Sequence, residues 1–168
     1  DGTWVARRNG AVFIPGNTPD FPKDRTLYQY DAKRRTALIV ESPSSVLRHN
    51  HHQPIEATFG ANVTDRQVRL LANHERVILW FDNDPAGWKS VMGWLDDKGV
   101  RHLGLGERLE PYCEVLVVDS HWAADPADMD DETVDDLVAK AIPFSMWSIP
   151  KHLMCWLCKT EHDGKCTE

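Results

Sequence analysis

Two aspartates one residue apart close an apolar run in Leu79-Trp80-Phe81-Asp82-Asn83-Asp84-Pro85-Ala86-Gly87. Side chains at i and i+2 of an extended segment share a face, so Asp82 and Asp84 converge if strand geometry persists past Phe81. Carboxylates held that close repel unless a proton or a cation stands between them. An oxygen-only donor set suits Mg²⁺ or Mn²⁺, which keep several waters and take phosphate oxygens as well. The competing explanation is turn chemistry, with Asp84 capping a helix that opens at Pro85. Other acids weigh on that choice. Glu41 ends the run Ala37-Leu38-Ile39-Val40, Asp119 ends Val115-Leu116-Val117-Val118, and Asp125 and Asp128 follow in Ala124-Asp125-Pro126-Ala127-Asp128.

Those acids need elements to hold them. Short apolar runs predict strands over 37–40, 56–60, 76–81 and 115–118. Between them lie helix signals. Ser42 precedes Pro43 as an N-cap for a helix to about residue 50, and Thr64 with Gln67 forms a capping box for a helix to about residue 73. From Pro85, the positions Trp88, Val91, Met92 and Leu95 follow helical spacing, with Gly99 as the stop. A last helix is expected over about 131–141, with Val134, Leu137, Val138 and Ala141 on one face. Strands alternating with helices imply βα units around a mainly parallel four-stranded sheet, an α/β fold. Such sheets take ligands outside the carboxyl ends of their strands, where Glu41, Asp82, Asp84 and Asp119 fall.

Ahead of this region, Asn9-Gly10 separates two β-rich runs, 3–8 and 11–14, the pattern of a two-residue hairpin. Residues 1–35 carry seven Lys/Arg against four Asp/Glu, although the whole chain of 168 residues has a net charge of −7. The total argues against broad nucleic-acid affinity. A basic arm on an acidic body is the more informative pattern. Three units follow: a basic hairpin segment over 1–35, an α/β domain over 36–142, and a strap and tail over 143–168. In the strap, Phe144, Met146, Trp147 and Ile149 are expected to pack on the domain.

No apolar run approaches the roughly 20 residues that span a bilayer, and no basic-then-apolar leader opens the chain. The first residue is Asp1 rather than Met, so a piece of a longer protein is expected. Of four cysteines, Cys113 reads as a buried thiol beside an apolar run. The others crowd the C-terminus, unlike the dispersed spacing of a disulfide framework, which points to a reducing, cytoplasmic compartment. There, Cys155, Cys158, His162 and Cys166 form C-x2-C-x3-H-x3-C, four Zn²⁺-competent ligands, against the alternative of incidental thiols. His49, His51 and His52 lie near a helix end and read as solvated.

The acids in this order resemble the TOPRIM domain of primases, topoisomerases and some small nucleases. The matching pieces are Leu38-Ile39-Val40-Glu41, Ala57-Thr58-Phe59-Gly60, and Val77 to Asp84 with Ala86-Gly87. The primase branch is the nearest likeness, through Leu27-Tyr28-Gln29-Tyr30-Asp31-Ala32-Lys33, Phe81 to Lys89, and Ala124 to Asp128. The resemblance covers about residues 27–141 and implies a Rossmann-like fold with divalent metal. It implies an enzyme that makes short RNA primers on a single-stranded DNA template from ribonucleoside triphosphates. Glu41 matches the motif acid, a metal ligand or general acid/base; Asp82 and Asp84 match the D-x-D ligands, and Asp125 the later acid. Asp128 stands one residue beyond the place many relatives use for the second acid. Residues 1–35 match only the tail of a template-binding subdomain, and Ser42 replaces the usual Gly after the motif Glu. A bacterial cell, a phage origin, and a replicative helicase or companion primase subunit as partner are further implications.

Other readings stay open at this stage: a small TOPRIM nuclease, or a non-catalytic module of a replication complex. A phosphatase of the haloacid dehalogenase type fits less well, because its D-x-D sits on the first strand and is followed by Thr or Val where Ala86 stands. A topoisomerase needs a nucleophilic Tyr, and Tyr28, Tyr30 and Tyr112 offer no evident candidate.

Overall fold

The computed structural model describes residues 22–119 and 125–147, with the backbone of 5–6 and 16–17. Two short strands, β1 (Val5–Ala6) and β2 (Gly16–Asn17), pair antiparallel. Ala6 faces Gly16, whereas a two-residue turn at Asn9-Gly10 would place it opposite Phe13, so the hairpin register differs from the expected one. Asn9 and Gly10 lie outside the described residues, as do Ile149 and the Cys155, Cys158, His162 and Cys166 tail.

The body alternates as expected. In chain order it runs β3 (Thr36–Val40), α1 (Pro43–His49), β4 (Ile55–Ala57), α2 (Asp65–Leu71), β5 (Arg76–Trp80) and α3 (Pro85–Met92). It continues with β6 (Gly93–Leu95), β7 (Arg101–Leu103), α4 (Leu105–Leu109), β8 (Glu114–Val117), α5 (Asp131–Ala139) and β9 (Ile142–Pro143). The main sheet has the order β4-β3-β5-β8-β9. The first four strands are parallel, and β9 adds an antiparallel edge, so the sheet has five strands rather than four.

Period-two alternation divides the core. Ala37, Ile39, Val77, Leu79, Val115 and Val117 pack on one face with Val68, Leu71, Val91 and Leu109. Leu38, Val40, Ile78 and Trp80 pack on the other with Val46 of α1 and Val134 of α5. Burial on both faces is why these strands read as continuous apolar runs. Each fully buried Leu or Ile contributes about 1.5–3 kcal/mol, more than the ~1 kcal/mol of a good cap. The strands therefore dominate the fold and the caps set its boundaries. Ser42 accepts from Ser44 N, and the Thr64–Gln67 capping box is formed in both directions.

One expectation fails at α3. The helix ends at Met92, because Gly93 adopts φ 78°, and Gly93–Leu95 turns into a hairpin with Arg101–Leu103. Gly99, expected to end the helix, instead lies in that hairpin's turn with φ 75°. A Cβ on Gly93 would come 2.3 Å from His102 O, so the hairpin needs glycine there. Phe144 and Trp147 pack on the core as expected of the strap, while Met146 is exposed. Cys113 is only half-buried, and burial raises its thiol pKa.

Residues 27–35 are tied to the body through a buried charge. Tyr28 bridges Ala57 of β4 with paired backbone hydrogen bonds. Beneath it, fully buried Glu56 accepts from Asp31 N at 3.2 Å and lies 3.7 Å from Arg34 Nη1 and 3.5 Å from His74 Nε2. Hydrogen bonding to Glu56 raises the His74 pKa against the opposing effect of burial. The His74 contribution is thus full below about pH 6.5 and lost as pH rises through its raised value. Removing one member of a buried ion pair typically costs about 3–5 kcal/mol. Glu56→Ala is expected to lose that much in urea unfolding near pH 6; a loss below about 1 kcal/mol would contradict the clamp.

Candidate functional site

From β3 the chain crosses to β4 on one side, then returns over β3 to β5 on the other. The connections diverge between β3 and β5, which opens a crevice at their carboxyl ends, the usual ligand position of such a sheet. Val40 and Trp80 are paired across these strands, so Glu41 and Phe81 leave the sheet side by side. Asp82 N then donates to Glu41 Oε1 at 3.1 Å.

The D-x-D segment is not an extended strand. Asp84 N donates to Asp82 O at 2.8 Å, a tight turn that brings the two acids round. Asp84 Oδ1 accepts from both Ala86 N and Gly87 N at 2.8 Å, capping α3. The turn reading thus holds at Asp84, whose side chain caps the helix. Gly87 fits closely beneath: a Cβ there would lie 2.1 Å from Asp82 O and 3.1 Å from Glu41 Oε1. No larger residue leaves Asp82 and Glu41 where they are.

Asp125 reaches the same crevice from the segment before α5. Its Oδ1 accepts from Ala127 N at 2.8 Å and from Ser45 Oγ at 2.7 Å, the latter a buried residue of α1. The Glu41 carboxyl is raised to about 7. Burial is the largest cause, then the charge of Asp82; Asp84 and Asp125 add to it, and the Asp82 amide opposes it. The charges of Asp82, Asp84 and Asp125 thus all act on Glu41, while only Asp82 is hydrogen-bonded to it, through its amide. Asp128 is exposed on the following turn, its amide closing on Asp125 O at 2.8 Å, and Asp119 is exposed beyond β8.

Oxygen donors of this kind suit Mg²⁺ or Mn²⁺, but no three of these carboxylates have ligand oxygens within 4.8 Å of one another, so the crevice is acidic without being a closed ligand set. A divalent cation answers the same charge conflict that the proton on Glu41 answers. Nearby, Phe59 follows β4 with φ 65°, in the left-handed region, and Gly60 N donates to Glu41 O at 3.0 Å. Non-glycine residues with φ in this range are uncommon and concentrate at functional sites.

A second concavity adjoins α3. It has a volume of about 430 Å³ and is lined by Asn62, Ala86, Lys89, Ser90, Trp94 and Arg108 among others. Lys89 Nζ sits 5.6 Å from the Trp94 ring, which stacks on His102 at 4.2 Å. Sequence reasoning missed this cleft, because the helix expected from Pro85 to Gly99 runs through β6 and hides the hairpin that gathers these residues. It also missed Ser45, for which no local signal exists. The expectation of solvated histidines is corrected at His49, which is fully buried, and at His52, whose side chain is 18% exposed. Residues about 80 positions away cover them.

No family model matches the sequence, and no curated protein matches it. Among solved structures, the chain is similar to the DnaG catalytic core, with 20% identity and a TM-score of 0.60 over 85% of this chain and 49% of that one. It is also similar to an Aquifex aeolicus primase comprising zinc-binding and RNA polymerase domains. There the identity is 21% and the TM-score 0.61, over 83% of this chain and 36% of that one. The chain spans about half the length of the first structure and little more than a third of the second. At these identities the likeness establishes the fold: the Rossmann-like, mainly parallel sheet expected of a TOPRIM domain.

The raised Glu41 value carries a sign. The folded protein holds this proton more tightly than the unfolded chain, whose reference value is 4.5. Stability of the metal-free protein therefore falls as pH rises from about 4.5 to 7 and levels off above. After allowance for solvent screening of a partly exposed group, the effect is about 1–2 kcal/mol. Metal-free Glu41→Gln is expected to be more stable than the parent by that amount at pH 8 and equal to it near pH 4.5. Parallel stability profiles across this range would contradict the geometry.

Proposed function

We propose that this chain is the metal-dependent catalytic portion of a DNA primase, which joins ribonucleoside triphosphates into short primers on a single-stranded DNA template. What supports this reading is the buried Glu41 at the crevice between β3 and β5, hydrogen-bonded to Asp82 N and within the field of Asp82, Asp84 and Asp125, in a fold shared with primase cores. Residues 36–142 form the catalytic domain, 1–35 the tail of a template-binding subdomain, and 143–168 the strap and tail.

Glu41, Asp82 and Asp84 would hold Mg²⁺ or Mn²⁺, with Asp125 beside them and Asp128 supplying a carboxylate from the next turn. The bound ion supplies charge neutralisation on the triphosphate and helps orient it. The chain's own groups do the rest. Glu41 would act either as a ligand of the ion or, where it is not coordinated, as the base that takes the proton from an attacking hydroxyl. The Asp84 cap fixes the first turn of α3, and Gly87 keeps the crevice floor thin enough for Asp82 to approach Glu41. In the cleft beside α3, Lys89 and Arg108 supply positive charge for phosphates, and Trp94 supplies a flat apolar face for a base.

The wider setting follows from this reading: a cytoplasmic protein of a bacterial cell or its phage, working with a replicative helicase or a companion primase subunit. Among the described residues no helix is long and apolar enough to cross a membrane.

The test is template-dependent synthesis by the intact protein with ribonucleoside triphosphates and Mn²⁺ or Mg²⁺, resolved on a denaturing gel. Asp82→Ala is expected to reduce product by at least about a hundredfold, the order seen when a transition-state charge stabiliser is removed. Unchanged synthesis by Asp82→Ala would overturn the assignment. Cleavage of nucleic acid in place of synthesis would favour a TOPRIM nuclease.

A further inference from the structure

On the face opposite α3, the end of α1 and the start of α5 enclose a group of imidazoles and carboxylates that the acidic crevice does not use. His49 Nδ1 lies 2.8 Å from Asp131 Oδ1, and His52 Nδ1 lies 3.5 Å from the same oxygen. One ligand atom from each of the three residues falls within 4.8 Å of those of the other two. A tetrahedral ion with bonds of about 2.0–2.1 Å has its ligands about 3.3 Å apart. The spacing is close to that already.

The hydrogen bonding determines which atoms face inward. His49 Nε2 lies 2.7 Å from Pro126 O, which can only accept, so Nε2 carries the hydrogen. In the neutral ring the Nδ1 lone pair then points at a carboxylate oxygen. Two lone pairs at 2.8 Å repel unless a positive charge lies between them, either a second proton on His49 or a metal ion. The two alternatives differ at His52. Both of its ring nitrogens are buried and make no hydrogen bond. A buried, unsatisfied imidazole is costly. A proton on His49 does nothing for it, whereas an ion at this point gives its Nδ1 a partner.

The surroundings match those of metal-bound imidazoles, which donate their second N–H to a carbonyl or carboxylate. His49 donates to Pro126 O. His52 Nε2 lies 3.3 Å from Asp135 Oδ1, close but not hydrogen-bonded, and that oxygen accepts from Gln53 Nε2 at 2.5 Å. His51 Nε2, 2.8 Å from Asp131 Oδ2, orients the third ligand.

The geometry points to a Zn²⁺ site formed by His49, His52 and Asp131, with a fourth position open to water. Two imidazoles and a carboxylate suit Zn²⁺, unlike the all-oxygen crevice suited to Mg²⁺ or Mn²⁺. The role of the Zn²⁺ site is structural. It fastens the end of α1 to the segment that carries Asp125.

The test uses the chain with Cys155, Cys158 and Cys166 replaced by Ser, which removes the other Zn²⁺-competent cluster. Metal-free protein is titrated with Zn²⁺ against a chromophoric chelator at pH 7.5, with folding of every variant checked by circular dichroism. One equivalent is expected to bind, and Asp82→Asn is expected to bind it equally well. His52→Gln and, independently, the half-exposed Asp131→Asn should each weaken binding about tenfold or more. The Co²⁺-loaded protein should show tetrahedral d–d bands without thiolate charge transfer. No stoichiometric Zn²⁺ binding, or binding unchanged in whichever of the two variants folds, would overturn the site. Either failure leaves the priming reaction untouched, because that reaction is read from a different metal and different residues.

Discussion

The whole arrangement depends on bringing like charges together at the end of two neighbouring strands. Glu41 and Asp82 repel, yet Asp82 N donates to Glu41 Oε1, and the registered pair Val40–Trp80 leaves no other place for either residue. Burial of Val40 and Trp80 holds that register. Large apolar residues on strands buried on both faces offset an electrostatic conflict that a looser scaffold would relax by moving apart. Gly87 allows the approach, since any Cβ would displace Asp82 O. Burial first, and then the unrelieved charge of Asp82, raise the proton affinity of Glu41.

Helix α1 connects that crevice to the opposite end of the molecule. At its start, Ser42 caps the turn beside Glu41. In its middle, Ser45 donates to Asp125. At its end, Arg48 donates to Met129 O and His49 meets Pro126 O and Asp131. One side of a two-turn helix thus grips residues 125–131 along its length. Asp125 reaches the acidic crevice because that segment is fastened at several points, and a Zn²⁺ ion at His49, His52 and Asp131 would stiffen the far fastening.

Much of this was legible locally. The strands announced themselves as short apolar runs, and their alternation with helix signals pointed to βα units and a mainly parallel sheet. Ser42, Thr64 with Gln67, and Asp84 signalled helix starts through short-range hydrogen bonds, which depend only on neighbours in sequence. The spacing of Asp82 and Asp84 predicts a shared face of an extended segment, whereas a tight turn follows Phe81 and Asp84 caps α3. What escaped detection depends on partners far along the chain. Met92 and Leu95 keep helical spacing, but Gly93 must turn because Leu103 pairs with it and His102 pairs with Trp94 beside it. The two-residue β9 is too short to carry a pattern. His49 and His52 looked solvated because the residues that bury them are about 80 positions away. The N-terminal hairpin kept its antiparallel pairing but not its register, because Asn9-Gly10 signals a turn without fixing what pairs beyond it.

The central claim is that the charge conflict around Glu41 is resolved by a divalent cation, and a crystal soaked in Mn²⁺ tests it most directly. Anomalous scattering is expected between Asp82, Asp84 and Glu41, with at least two of these carboxylates bonded to the ion at about 2.1–2.2 Å. An empty crevice in a crystal that takes Mn²⁺ elsewhere, with Glu41 still hydrogen-bonded to Asp82 N, would contradict it.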